Sequence, residues 1–220
     1  MYFKYFLFCC LGLLCCGVGW SETSPESEGI LFQENFEEME TEGLPREFLV
    51  LDGEFTVQEI EGNRVVHLPG DPLGDYGFLF GPNAKEDLEV QARIRSESRR
   101  RLTPRFGVGL NGVNAYKLYL IPNKNTLEIW KGKEMVQEVE SPFRWESGSW
   151  TWFVLQVISR NGVWLVQGKV WQEDDERPEE WMIQYEEKAE PVMGKASIWG
   201  TPYSARPILF DDILVRQVKP

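Results

Sequence analysis

Two adjacent carboxylates, Asp211 and Asp212, stand inside the otherwise apolar, strand-forming run "ILFDDILV" (208–215). Neighbours on a strand point to opposite faces, so at least one of the pair faces a covered layer, a sheet edge or a cation. An unpaired carboxylate in an apolar layer is costly, so a partner is required. Other groups could do acid–base work. Glu128 stands alone in "LEIW", and Glu138 and Glu140 share one face of "EVE". The lone histidine, His67 in "VVHLPG", has no Ser/Asp or Cys/His cluster around it and reads as a structural side chain near a strand end. "GVGLNG" opens no helix, so it is not a phosphate loop. No catalytic constellation emerges, and no catalytic residue is assigned.

Tryptophan is the more informative residue. Of nine in the chain, eight lie beyond residue 21: Trp130, Trp145, Trp150, Trp152, Trp164, Trp171, Trp181 and Trp199. The C–H face of a sugar stacks on an aromatic ring, with nearby polar side chains contacting the hydroxyls. Large β-sandwiches also use tryptophan as core, and half or more of the eight are expected to be core or interface packing. Trp130 is in period with Glu128 and opposite to Leu127 and Ile129, which makes it the expected exposed ring. Tyr116, Tyr119, Arg105 and Asn111 complete the candidate ligand-binding set. Gly107 and Gly109, alternating with Phe106, Val108 and Leu110, leave the opposite face of their strand open to a neighbouring chain or a ligand.

The elements that must position these residues are strands. "DLEVQARIR" (87–95) sets Leu88, Val90, Ala92 and Ile94 on one face and Glu89, Gln91, Arg93 and Arg95 on the other. The same period of two runs through "AYKLYLI", "TLEIW", "TWFVLQVI" and "VWLVQGKVW", with no helical stripe. Asn161-Gly162 is the strongest hairpin signal. About twelve short strands at spacings of about ten residues give the pattern of a sandwich or barrel. "EDDERPEE" (173–180) is an acidic loop, and neither an internal repeat nor a second domain is visible.

Residues 1–21 carry one lysine, Lys4, ahead of an apolar run from Tyr5 to Val18 that is short for a membrane span. They read as a signal peptide cleaved near Gly19 or Ser21. The alternatives are an uncleaved anchor and a lipid anchor at Cys15 or Cys16. Residues 22–29 read as a linker and 30–220 as one domain. All four cysteines, Cys9, Cys10, Cys15 and Cys16, fall in the leader, so the mature domain has neither a disulfide framework nor a thiolate metal site. The chain carries a net charge of −12; setting aside residues 1–21 removes only Lys4 and leaves −13. Nucleic acid and anionic membrane surfaces are therefore excluded as partners. Arg99, Arg100, Arg101 and Arg105 form a local basic exception, expected to be a solvated loop.

The order of motifs from Leu31 onward carries a resemblance. Phe36-Glu37 comes first, then "LP" with an aromatic three residues on, "DGEFTV", "GNRVVHL" and the terminal "FDDILV". Over most of residues 30–218 this resembles the concanavalin A-like jelly-roll superfamily, nearest to LamG-like and 3-keto-disaccharide-hydrolase-like secreted bacterial domains and related carbohydrate-binding modules. The resemblance implies an all-β, two-sheet antiparallel jelly-roll sandwich. It also implies a structural calcium between first and last strands, for which Glu37, Asp211 and Asp212 are the candidate ligands; the alternative reading, which the residues favour slightly, is that the aspartates cap a strand end or face water at a sheet edge. The related glucanases carry a paired-carboxylate strand motif that "EVE" lacks, having no aspartate between its glutamates. The expected function is an exported, secreted or periplasmic, non-catalytic module that binds a glycan or polysaccharide, or another envelope protein. A sugar-active hydrolase or lyase of the 3-keto-disaccharide type is the alternative.

Overall fold

The computed structural model describes residues 29–40 and 43–219. The expected signal peptide and all of the expected linker except Gly29 lie outside the described residues. No helix occurs among the described residues; fifteen strands build two antiparallel sheets.

The first sheet runs β13 (Ile183–Glu187), β12 (Val163–Gln172), β11 (Trp150–Arg160), β6 (Leu88–Ser96), β15 (Ile208–Gln217), β4 (Asn63–Leu68) and β3 (Thr56–Ile60), with β1 (Ile30–Glu34) paired to β15. The second runs β10 (Glu134–Glu140), β9 (Thr126–Lys131), β8 (Tyr116–Ile121), β7 (Arg105–Leu110), β14 (Gly194–Thr201), β5 (Tyr76–Ala84) and β2 (Leu49–Asp52). The alternating apolar residues of both sheets meet in one core. Leu88, Val90, Ala92 and Ile94 of β6 are buried there, facing Phe106, Val108 and Leu110 of β7 across the sandwich. Phe78 anchors one end, with the rings of Phe55, Phe48, Phe80 and Phe210 at 5.0, 5.8, 5.9 and 6.3 Å. The β11–β12 hairpin closes on Asn161-Gly162, both at positive φ (54° and 81°), as a two-residue turn between twisted strands requires.

The Asp-Asp pair interrupts the period of β15. Ile208 and Phe210 point into the core, and so do Ile213 and Val215, so the phase slips by one residue between Phe210 and Ile213. The register against β6 shifts between Asp211 and Leu214, and Asp212 has φ 46°, the marks of a β-bulge. The bulge coincides with a change of partner. β4 pairs with residues 208–210, and β1 takes over from Ile213 to Arg216.

Candidate functional site

Cross-strand register composes the outer face of the seven-stranded sheet. Gly107 of β7 sits between Tyr119 of β8 and Trp199 of β14, and Gly109 sits between Lys117 and Ser197. Lys117 is in turn paired with Trp130 of β9, and Tyr119 with Glu128. These residues are out of phase with the core-facing Leu118, Leu120, Leu127 and Ile129, so they share the far side of the sheet. There Tyr119, Ile121 and Trp199 form a second small apolar cluster, with Trp130 half-buried against it.

The glycines leave no open groove. A Cβ on Gly107 would stand 1.9 Å from the Leu118 carbonyl oxygen, and one on Gly109 would stand 2.4 Å from Ser197 Oγ. Neighbouring strands already take the space that the missing side chains vacate. The recess lies instead at the end of this face. It is a cleft of about 570 Å³ lined by Arg101, Arg105, Lys124, Glu128, Trp130 and Tyr203, among others.

The Trp130 indole, Glu128, Lys124 and Arg105 are each fixed by a neighbour. Trp130 Nε1 donates to Glu128 Oε2 at 2.7 Å, and Lys124 Nζ donates to Glu128 Oε1 at 3.0 Å. Lys124 also stands 3.5 Å from Glu138, which pairs across the ladder with Glu128. The Trp130 and Tyr119 rings meet edge to face, 6.4 Å apart at 87°. The Arg105 guanidinium lies 4.8 Å from the Tyr119 ring and 5.8 Å from Trp130, and pairs with Asp75 at 3.1 Å. Asp75 in turn accepts from Thr201 Oγ1 at 2.7 Å. Burial, followed by the Asp75 carboxylate, pushes the Tyr119 phenol upward, so it stays neutral at physiological pH. The result is an apolar aromatic wall beside a fixed carboxylate acceptor and fixed cationic donors. Such a set meets both faces of a sugar: its C–H surface and its hydroxyls.

Trp130, Tyr119 and Arg105 thus come together, whereas Tyr116 and Asn111 do not join them. Tyr116 shares the phase of Leu118 and Leu120, lies in the core, and donates its hydroxyl to Glu187 Oε2 at 3.2 Å. Three residues separate Tyr116 from Tyr119, an odd spacing that puts them on opposite faces of one strand. Asn111 follows β7 with φ 62° and is buried; its amide donates to the carbonyls of Lys85 (2.8 Å) and Val192 (2.9 Å), tying two loops together. Tyr116→Phe should therefore cost about 1 kcal/mol of stability in a urea melt, the value of one hydrogen bond, and leave ligand affinity unchanged. The sequence reading passed over Glu128 as a candidate and never raised Lys117, Lys124 or Asp75. The alternation that singled out Trp130 also placed Glu128 beside it, and Lys117 beside Tyr119.

Among the described residues Trp145 and Trp164 pack against the main core, and Trp171 and Trp199 are also buried, so half of the eight are packed, as the sequence suggested. Trp150, Trp152 and Trp171 sit on the outer face of the eight-stranded sheet, where each neighbour pair in the ladder faces away from Phe153 and Val170. Trp152 and Trp171 stack at 6.2 Å and 17°. Arg93 covers Trp150 at 4.7 Å, Arg177 covers Trp171 at 5.8 Å, and Lys169 stands 4.6 Å from Trp181. These rings are already occupied by side chains of the same chain.

The carboxylates expected to hold calcium find other partners. Asp211 is 1 % exposed, and its Oδ2 accepts from Arg93 Nη2 at 2.6 Å and from Asn63 Nδ2 at 2.8 Å. Its Oδ1 accepts the Asp212 backbone N–H at 2.7 Å. Asp212 pairs with Arg93 Nε at 2.8 Å, and Glu37 Oε1 accepts the Arg64 backbone N–H at 3.0 Å. Burial, then the adjoining Asp211 carboxylate, pushes Asp212 upward from its ordinary value against the pull of Arg93. A guanidinium therefore stands where the resemblance implied an ion, and both oxygens of the buried Asp211 are already bonded. Among the described residues no three metal-ligating side chains converge. The donor set does not fit calcium.

No family model matches the chain, and no curated protein matches it in sequence. Solved structures do match in fold. A Bacillus subtilis protein of unknown function with a galectin-like fold superposes with a TM-score of 0.55 at 8% identity, covering 84% of this chain and 98% of that one. A carbohydrate-binding module of Bacillus subtilis gives 0.51 at 9% identity, covering 80% and 96%. The exoplasmic/lumenal domain of VIP36, in its Ca2+-bound form, gives 0.54 at 11% identity, covering 80% and 85%. At such identities the likeness is one of fold, and with the two antiparallel sheets it shows that this chain is a jelly-roll sandwich of the concanavalin A-like type.

Proposed function

We propose that the chain is an exported, non-catalytic carbohydrate-binding module whose ligand docks in the cleft beside Trp130. The observation that carries this reading is the Trp130–Tyr119 ring pair set next to a carboxylate held by the Trp130 indole and by Lys124. A pyranose can lay its C–H face on the accessible part of the indole. Glu128, buried and bonded through both oxygens, holds the indole in place, while Arg105 and Lys124 donate to ring or hydroxyl oxygens. Because the side chains are already fixed, little ordering entropy is lost on binding. Two of the structural neighbours are, by name, a carbohydrate-binding module and a carbohydrate recognition domain, which supports the reading at the level of fold. Extracytoplasmic location rests on the leader read in residues 1–21.

The hydrolase or lyase alternative has one observation in its favour: Glu128 and Glu138 oppose each other on adjacent strands. Glycosidases need two carboxylates that flank a bond and hold different protonation states. Here one ammonium, Lys124, bridges both and leaves no room for a glycosidic bond between them, which favours binding over turnover.

The test is a titration of a panel of immobilised and soluble glycans against the full mature chain and Trp130→Ala. The expected result is saturable binding without release of reducing ends. Trp130→Ala should lose about 1–3 kcal/mol of affinity, the worth of one stacked aromatic platform. Its melting temperature should stay close to wild type, since the ring is half-exposed. Binding of an envelope protein with no glycan bound, or turnover of a bound glycan, would contradict the proposal.

A further inference from the structure

Lys117 sits inside this face in an unusual state. It is 8% exposed, and its ammonium lies 3.8 Å from the centre of the Trp199 ring. It makes no ion pair and no hydrogen bond among the described residues. Burial pushes its pKa down, with Asp75 opposing and Arg105 reinforcing that shift. The ring face returns part of the lost hydration of the ammonium, but none of its hydrogen bonds. Arg101, on the cleft wall, also lacks a carboxylate within ion-pair distance among the described residues. Arg105 and Lys124 do have such partners, in Asp75 and Glu128. Two cations with no carboxylate within ion-pair distance among the described residues, the buried Lys117 and the exposed Arg101, thus stand on this face of a chain whose net charge is −12.

We propose, on the basis that this face binds sugars, that the ligand class is acidic: a glycan bearing a carboxylate at one ring, seated between Lys117 and the Arg101–Arg105 edge. A sugar ring on Trp130 would carry an equatorial C6 carboxylate toward the strip that Lys117, Trp199 and Arg105 enclose. The carboxylate supplies acceptors, for which Lys117 has no protein partner among the described residues, and charge-assisted hydrogen bonds are the strong ones. The class is narrower than polyanions in general. A densely sulfated chain would lie along a surface of the same sign as itself, and its repulsion grows with each added charge. A single or sparse carboxylate avoids that cost.

The test uses matched probes in which only the charge differs: oligosaccharides of galacturonate, glucuronate and mannuronate, each as the free acid and as its methyl ester, titrated into the full mature chain. The acid form of at least one pair should bind roughly tenfold or more tightly than its ester, as expected for hydrogen bonds to a charged group. That advantage should shrink as salt is raised. Lys117→Met keeps the apolar stem and should bring the acid down to the affinity of the ester, with ester binding retained. A melting curve of Lys117→Met should show that the fold survives, and Lys117→Arg, which keeps the charge, should retain part of the preference. Equal binding of acid and ester in every pair, or an acid preference unchanged in Lys117→Met, overturns the acidic class while leaving a neutral glycan site intact. Absence of binding by every probe and by the wider neutral panel overturns both this inference and the reading on which it rests.

Discussion

Arg93→Ala is expected to destabilise the protein by about 3–5 kcal/mol, the cost of stripping the partner from a buried ion pair. Arg93 reaches Asp211 at 2.6 Å, Asp212 at 2.8 Å and Glu173 at 2.8 Å, while its guanidinium lies over Trp150 at 4.7 Å. With Arg93 gone, the buried Asp211 keeps only Asn63 and the Asp212 N–H. Arg93→Lys should recover only part of the loss, since an ammonium cannot span two carboxylates and cover an indole at once. The double variant Arg93→Met/Asp211→Leu should recover more, because replacing a buried pair costs less than breaking it. Asp212 behaves differently from Asp211. Its folded pKa lies above the unfolded value, so its charge works against the folded state once the pH exceeds the unfolded pKa. Asp212→Asn should therefore be neutral or mildly stabilising at pH 7, and asparagine also accepts the positive φ. Urea melts at pH 7 with and without chelator check the set. Wild-type stability should not move on chelation. An Arg93→Ala loss below about 1 kcal/mol, or a fall in melting temperature with chelator, would show that an ion and not the guanidinium holds the bulge.

The next largest effect is expected at Gly107. A methyl group there meets the Leu118 carbonyl oxygen at 1.9 Å, its carbon at 2.9 Å and the Tyr119 Cα at 3.1 Å, all of them backbone. β8 is hydrogen-bonded on both sides, to β7 and β9, so it cannot step aside. Gly107→Ala should cost about 1–3 kcal/mol or more, the range of overpacking where nothing flexible yields. Any relief comes from moving Tyr119, and with it the Trp130 and Arg105 contacts. Affinity for the glycan should fall together with stability, which separates Gly107→Ala from Trp130→Ala, where affinity falls alone. Gly109→Ala is the milder comparison, since its nearest obstacle is the Ser197 hydroxyl. Stability intact in Gly107→Ala would mean that the β7–β8 spacing is looser than described.

Much of this was legible in the sequence, and the misses have physical causes. Period-two alternation identified the strands and put Leu88, Val90, Ala92 and Ile94 in the core. The same alternation, applied strictly, separates Tyr116 from Tyr119. The motifs of residues 30–218 pointed to the jelly roll. The role of the Asp-Asp pair was not legible, because a bulge is defined by how β15 meets β1, β4 and β6. Its counter-ion, Arg93, is 118 residues away in sequence. Gly107 and Gly109 illustrate the limit from the other side. A strand glycine signals close approach, but only the register shows that chain rather than ligand fills the gap. Half or more of the tryptophans were expected as core or interface packing, and four of the eight are buried or packed against the core. Cation-covered indoles on the outer face of the eight-stranded sheet need Arg93, Arg177 and Lys169 brought from three separate segments.

The central claim is that a glycan binds on the seven-stranded sheet at Trp130, and it is tested most directly by a titration followed through the indole N–H resonances of the intact mature chain. Trp130 Nε1 is bonded to Glu128 at the cleft, while Trp152 and Trp171 stack on the opposite side of the sandwich. On adding the tightest-binding glycan of the panel, the Trp130 signal is predicted to shift in a saturable way, with Trp199 following to a smaller degree and Trp152 and Trp171 unmoved. Saturable shifts of Trp152 and Trp171 with Trp130 unchanged would place the ligand on the other sheet and contradict the account.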